Sequence, residues 1–226
     1  MNTTSVIIVC AGKSSRMNGI NKQLADLSGE PVFLRSARIF EGIDEISEIV
    51  FSVAEESKSA FESIHADLKK PYKIVTGGET RTESVINAVK NCSETTRFIA
   101  VHDGARPFAK PETIIQCIKD AAVFGGSVLA VPVKDTIKFA DGGIVTDTPD
   151  RRKLFIMQTP QIFRRDIFIS AVNFAIANSL DFTDDAAMTE SVGAKVHLTI
   201  SDYGNFKITA PEDLEYAVYL SKKMYT

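Results

Sequence analysis

Val6-Ile7-Ile8-Val9-Cys10-Ala11-Gly12-Lys13-Ser14-Ser15-Arg16-Met17 is an apolar run that breaks into small residues and cations. A strand with water on one side alternates apolar and polar side chains. Val6–Val9 does not alternate, so it is predicted to be covered on both faces, as strands are in a parallel sheet packed between helices. Outward from it the pattern continues. Glu48–Ala54, Tyr72–Val75, Arg97–His102 and Ser127–Val133 read as further buried strands. Between them, Pro31–Glu41, Ser57–Lys69, Thr80–Asn91 and Pro111–Phe124 return apolar residues at helical spacing. Alternation of this kind predicts an α/β fold with a doubly wound, mostly parallel sheet.

The rhythm stops after Val133. Thr136–Phe139 and Ile144–Thr148 flank Ala140-Asp141-Gly142-Gly143, and an Asp-Gly step between strand-like runs predicts a hairpin. Two strands alone are marginal in water, so an inserted β-hairpin arm at about residues 134–151 is expected to find a partner surface, by preference a second copy of the chain. Beyond it, Lys153–Gln158 and Lys195–Ile200 read as strands, and Arg164–Asn178, Asp184–Val192 and Pro211–Met224 as helices.

The 226 residues suit one domain. A hydrophobic fraction of 44% with 24% charged residues excludes general disorder. The formal net charge of -3 gives no broad basic face for nucleic acid. Cys10, Cys92 and Cys117 are odd in number and scattered, which argues against disulfide or zinc frameworks. No apolar run approaches a membrane span, and a cytoplasmic enzyme is the expectation.

In open parallel sheets, ligands gather at the carboxyl ends of the strands. The first such loop, Ala11 to Met17 with Lys22 shortly after, offers Gly12 for close backbone approach and Lys13, Arg16 and Lys22 as cations. It reads as a polyphosphate cradle or as a basic surface loop, and it has neither Walker A nor Gly-x-Gly-x-x-Gly spacing. The second loop holds Gly77-Gly78, which permit close approach to a planar ligand, and Ser84, whose hydroxyl suits a base edge. Its Thr80 and Glu83 form a capping box by spacing alone. The third, His102-Asp103-Gly104-Ala105-Arg106-Pro107, offers Asp103 for substrate hydroxyls or a water on Mg²⁺ and Arg106 for phosphate; a surface ion pair is the plainer alternative. His102 reads as packed. Lys207, between Phe206 and Ile208, is expected on the opposite face of a short strand, ahead of a Thr209-x-x-Glu212 cap. Thr136 and Arg151, at the two ends of the arm, are ligands or surface residues with equal justice.

Taken in order, these pieces resemble the 2-C-methyl-D-erythritol 4-phosphate cytidylyltransferases, nucleotidyltransferases of Rossmann-like, glycosyltransferase-A-like fold. The resemblance rests on Ala11–Met17, Lys22-Gln23, Gly77–Val85, His102–Pro107, Pro132–Thr136, Asp150-Arg151, Gln158-Thr159-Pro160-Gln161, Thr183–Ala186 and Asn205–Leu214. Ser14 stands where the family often has a second loop glycine. The resemblance implies transfer of a cytidylyl group from CTP to a sugar-alcohol phosphate, with Mg²⁺ held mainly by the triphosphate and no metal-ligand cluster in the chain. Arg16 and Lys22 would stabilise charge on the α-phosphate. Arg151 and Lys207 would hold the acceptor's phosphate, with Asp103, Arg106 and Thr136 lining its pocket. Ala11, Gly12, Lys13, Gly78, Glu79, Ser84 and Gly104 would surround the nucleotide. The arm would cross a homodimer, so that Thr136 and Arg151 serve the partner's site. Ribitol 5-phosphate is the competing acceptor; Gln158–Gln161 and the Arg151 arm look like the methylerythritol branch. A non-catalytic CTP-binding module is the alternative outside enzymes.

Overall fold

Three stretches at the core of the fold, β1 (Thr4–Val9), β2 (Ile46–Val53) and β4 (Phe98–Asp103), are almost entirely buried. The computed structural model, which describes residues 3–12, 17, 19, 21–64 and 67–224, shows why. Val6 and Ile8 of β1, Phe51 of β2 and Phe98 of β4 point to one face, where α1 (Val32–Glu41) and α4 (Pro111–Phe124) cover them with Phe33, Phe40, Ile114 and Ile118. Ile7, Val50, Ile99 and Val101 point to the other, under α3 (Arg81–Val89) and α5 (Arg165–Ala177), which supply Val85, Ile86, Phe168 and Val172. Both faces are therefore dry.

With β3 (Tyr72–Thr76), β5 (Gly126–Pro132), β8 (Phe155–Arg164) and β9 (His197–Ile200) the sheet has seven strands in the order β3-β2-β1-β4-β8-β5-β9. All neighbours are parallel except β8, which runs antiparallel to both β4 and β5. The connection from β5 to β8 carries no crossover helix, and without one the returning strand has to reverse. β8 is longer than the expected Lys153–Gln158. Pro160, which ends a strand on sequence grounds, sits where the β5–β8 pairing slips between Val128 and Ala130, so the missing N–H falls at an irregularity of the ladder.

Other departures are local. The helix expected over Ser57–Lys69 is only α2 (Lys58–Ser63), after a single 3₁₀ turn at Glu55–Ser57. Ile64 is already extended, and it packs on the core with Leu68 from irregular chain. The arm is a separate two-stranded ribbon of β6 (Phe139–Asp141) and β7 (Ile144–Asp147), exposed throughout. Its turn is centred on Gly142-Gly143, both at positive φ, one residue later than the Asp-Gly reading, and Thr136 lies before the first strand. After α5 come α6 (Asp185–Glu190) and, past β9, α7 (Pro211–Met224). The Thr209-x-x-Glu212 cap is replaced by Asp213, whose Oδ2 accepts from the Thr209 and Ala210 N–H groups and the Thr209 hydroxyl. A third apolar cluster of Leu27, Val32, Phe108, Ile208 and Ala217 seats α7 under the segment that carries Lys207.

Candidate active site

The ladder of the parallel strands continues into the loops that leave them. Cys10 N–H donates to the Ser52 carbonyl, Gly77 N–H to Val53 and Gly104 N–H to Val9, at 2.7, 2.7 and 3.0 Å. Three loops are thereby stacked edge to edge at the carboxyl end of the sheet. They enclose a cavity of about 180 Å³ lined by Ala11, Gly12, Lys22, Gln23, Gly78, Glu79, Thr80, Arg81, Ser84, Asp103, Ala105 and Lys207, among others. It lies where ligands of open α/β sheets bind.

Asp103 is the electrostatic centre. The residue is 7% exposed, and its Oδ2 accepts from Arg106 Nε and Lys207 Nζ, both at 3.0 Å. Burial opposes ionisation, but Lys207, Arg106 and, more distantly, Arg81 outweigh it and hold the carboxyl well below its usual range. Arg106 also donates from Nη1 to the Asn205 carbonyl at 2.8 Å and is absent from the cavity wall, so it faces Asp103 rather than the space beside it. The plain ion-pair reading of Asp103 and Arg106 thus describes real contacts, though in a buried site.

Lys207 reaches the cavity because the chain there is extended without belonging to a strand. Phe206 and Ile208 turn into the apolar cluster under α7, Ile208 N–H donates to the Ala105 carbonyl at 2.9 Å, and Lys207 faces the other way. Asn205 ties this segment to β8 by donating to the Thr159 carbonyl and Gln158 Oε1. Lys22 also lines the cavity and is 9% exposed.

The glycines act mainly on protein. A Cβ on Gly77 would lie 2.7 Å from the Ala11 Cβ and 2.8 Å from Ser84 Oγ, so this glycine lets the β3 loop close against the β1 loop. A Cβ on Gly104 would meet Cys10 Sγ at 2.5 Å, and that residue packs the β4 exit onto β1. Ser84 is 1% exposed; its hydroxyl accepts from the Gly78 N–H and donates to the Thr80 carbonyl, shaping the loop from beneath. Thr80 and Glu83 form the full capping box.

His102 is packed, as expected. Thr159 Oγ1 accepts from the Asp103 N–H and sits 3.1 Å from His102 Nδ1, while Nε2 faces the Arg106 carbonyl at 3.1 Å. These partners assign the Nε2–H tautomer, with Nδ1 as acceptor. Burial pushes its pKa down to about 4. Burial, with Asp103 nearby, pushes the Cys10 thiol far up, which leaves it unsuited as a nucleophile.

Lys13 and Arg16 lie outside the described residues. Thr136 and Arg151 are exposed, and neither lines this cavity; Arg151 donates to the Lys134 carbonyl at 2.9 Å. Arg81, Thr80 and Gln23 line it although none of them has a ligand-binding role on sequence grounds, Thr80 being read as a cap. Arg81 and its partner Asp185 fall in the Gly77–Val85 and Thr183–Ala186 stretches of the resemblance, but 104 residues separate them and nothing in the sequence pairs the two.

A cleft lined by Lys22, Arg81 and Lys207 around the buried, ionised Asp103, at the end of a mostly parallel sheet, suits an anionic ligand. Residues 4–222 match the family described as IspD, 2-C-methyl-D-erythritol 4-phosphate cytidylyltransferase. The proteins of that name from Caldanaerobacter subterraneus subsp. tengcongensis and Clostridium novyi are 41% and 38% identical, over 97% and 95% of this chain and 99% and 94% of theirs. The crystal structure of 4-diphosphocytidyl-2C-methyl-D-erythritol synthase from Anaerococcus prevotii superposes with a TM-score of 0.87 at 26% identity, covering 98% of this chain and 96% of that one. The Francisella tularensis 2-C-methyl-D-erythritol 4-phosphate cytidylyltransferase gives 0.82 at 28%, covering 96% and 99%. The chain belongs to the 2-C-methyl-D-erythritol 4-phosphate cytidylyltransferase family, and is a nucleotidyltransferase.

Proposed function

We propose that this chain transfers the cytidylyl group of CTP to 2-C-methyl-D-erythritol 4-phosphate, releasing pyrophosphate, in isoprenoid biosynthesis. The observation that carries the reading is the Lys207–Asp103–Arg106 cluster in one small cleft that Lys22 also lines. An acceptor phosphate is already anionic at neutral pH, so in-line attack on the α-phosphorus needs charge and position more than a base. That accords with a neutral, doubly bonded His102 and a protonated Cys10.

In this reading Lys22, with Arg16, neutralises charge developing on the α-phosphate. Lys207 meets the acceptor's phosphate, and Asp103 fixes the Lys207 ammonium while Arg106 fixes Asp103. Gly78 and Glu79 border the space for cytosine and ribose, opposite Ala11 and Gly12. Asp103, held ionised by its cationic neighbours, is the carboxylate at the cleft that would help hold Mg²⁺, the triphosphate itself supplying the other oxygens. When bound, Mg²⁺ supplies neutralisation of the triphosphate's charge. The active form is a homodimer in which the arm carries Thr136 and Arg151 to the partner's cleft, supported by Phe139, Ile144 and Val145, which are 57%, 73% and 56% exposed.

The test is pyrophosphate release with each of the four nucleoside triphosphates and either 2-C-methyl-D-erythritol 4-phosphate or ribitol 5-phosphate. Turnover confined to CTP and the methylerythritol acceptor is expected; turnover of ribitol 5-phosphate alone reverses the assignment, and CTP binding without product points to a binding module. Lys22→Ala is expected to lower kcat far more than it weakens CTP binding.

A further inference from the structure

Arg81 faces the cleft from the first position of α3. On helix grounds alone this is a poor place for a cation, because the positive end of the helix dipole disfavours it. A side chain holds it there: Arg81 Nη2 donates to Asp185 Oδ2 at 2.6 Å, and Asp185 is 1% exposed. Asp185 is fixed in turn. Asp184 caps α6 by accepting from the Ala187 N–H and from Gln161 Nε2, and Gln161 Oε1 accepts from the Ala186 N–H, so β8 pins the turn that presents Asp185.

A buried ion pair of this kind adds little net stability, since removing both charges from water offsets their attraction. Its use is better sought in what it aims. A guanidinium is a planar fork with five N–H donors. Here Nη2 is turned to Asp185, while the group as a whole, 24% exposed, borders the cleft beside Gly78, Glu79 and Thr80. Asp103 stands close enough across the space for the two to feel each other's charge, and Lys22 and Lys207 line the remaining walls.

The geometry points to Arg81 as a nucleotide-contacting group that donates to oxygen acceptors of the bound CTP at the end bordered by Gly78 and Glu79, with Asp185 as the positioning residue that aims it. This rests on the CTP reading above. Its consequence is a chain of command from β8 and α6 to the nucleotide: Asp185 matters to the ligand only through Arg81, and matters little to the acceptor.

Calorimetric titration of the full chain with CTP and Mg²⁺, without acceptor, tests this independently of turnover. Arg81→Gln and Asp185→Asn are each expected to raise the CTP Kd roughly 10- to 100-fold, the worth of one charge-assisted hydrogen bond. The double variant is expected to be no weaker than Arg81→Gln alone, because the second lesion has nothing left to act through. Asp185→Glu is expected to recover affinity to within about threefold, and the acceptor KM at saturating CTP to stay within about twofold in every active variant. Arg81→Lys, which keeps the charge and loses the fork, covers the case in which Asp185→Asn fails to fold. Unchanged Kd in a folded Arg81→Lys or Arg81→Gln overturns the proposal, and so do losses that multiply in the double variant. Wild-type protein that binds CTP without turning it over refutes the activity and leaves Arg81 standing; failure to bind CTP refutes both.

Discussion

His102 shows how one buried ring can make the cleft pH-dependent without taking part in the chemistry. It ties the Asp103 loop to β8, through the Arg106 carbonyl on one side and Thr159 on the other, and it meets Phe40 edge-on. Both contacts suit the neutral ring. Its folded pKa of about 4 lies below the ordinary imidazole value of 6.5, so the unfolded chain takes up a proton first as pH falls. Stability from this residue is complete above pH 6.5 and is lost as pH falls towards 4, by about 3 kcal/mol at most. Asp103 acts in a lower window: its folded pKa is depressed, so its contribution persists down to the ordinary carboxylate value of 3.8 and is lost only below it. Thermal unfolding followed from pH 7.5 to pH 4.5 is therefore expected to show a falling Tm in the wild type and a flatter profile in His102→Gln. The same slope in both proteins would remove His102 as the cause.

At the scale of elements, α7 matters to Lys207 because the two share a start. Asp213 gathers three hydrogen bonds from Thr209 and Ala210, and these donors keep its carboxyl below the usual range against the opposing effect of burial. Asp213→Ala frees the chain just after Lys207. It is expected to lower stability by about 1 kcal/mol and to raise the acceptor KM, with the CTP KM nearly unchanged; equal changes in both constants would count against the link. The sequence already contained much of this architecture. Strand and helix order could be read because apolar runs of four to eight residues alternate with helical periods, and α4 and α7 have the expected bounds. β8 runs past the expected Lys153–Gln158 because the register slip in its pairing with β5 admits Pro160, whose missing N–H a regular ladder would not. Lys207 could be placed by alternation between Phe206 and Ile208 even though no strand forms. The pairing of Asp185 with Arg81 could not be read, because it joins two elements that only the folded chain brings together.

Across the whole molecule, the cleft of one chain contains Lys22, Asp103 and Lys207 but neither Thr136 nor Arg151, whose arm stands away with its apolar side chains exposed. If the arm completes the partner's cleft, lesions in the two kinds of residue should complement each other. Arg151→Ala spoils the site that its arm reaches, and Lys22→Ala spoils the site in its own body. A dimer of the two variants then places both lesions in one cleft and leaves the other cleft intact. Equal mixing with free exchange makes about half of the dimers mixed, each with one working site, so activity is expected to rise to about a quarter of the wild-type value from two nearly inactive parents. If Arg151 serves its own chain, every cleft in the mixed dimer carries one lesion and no activity returns. Replacing Phe139, Ile144 and Val145 by lysine gives the companion measurement. The triple variant is expected to elute as a monomer, to keep the melting behaviour of its Rossmann-like body, and to lose complementation in the same mixing assay, because an arm that cannot dock delivers no Arg151 to its neighbour.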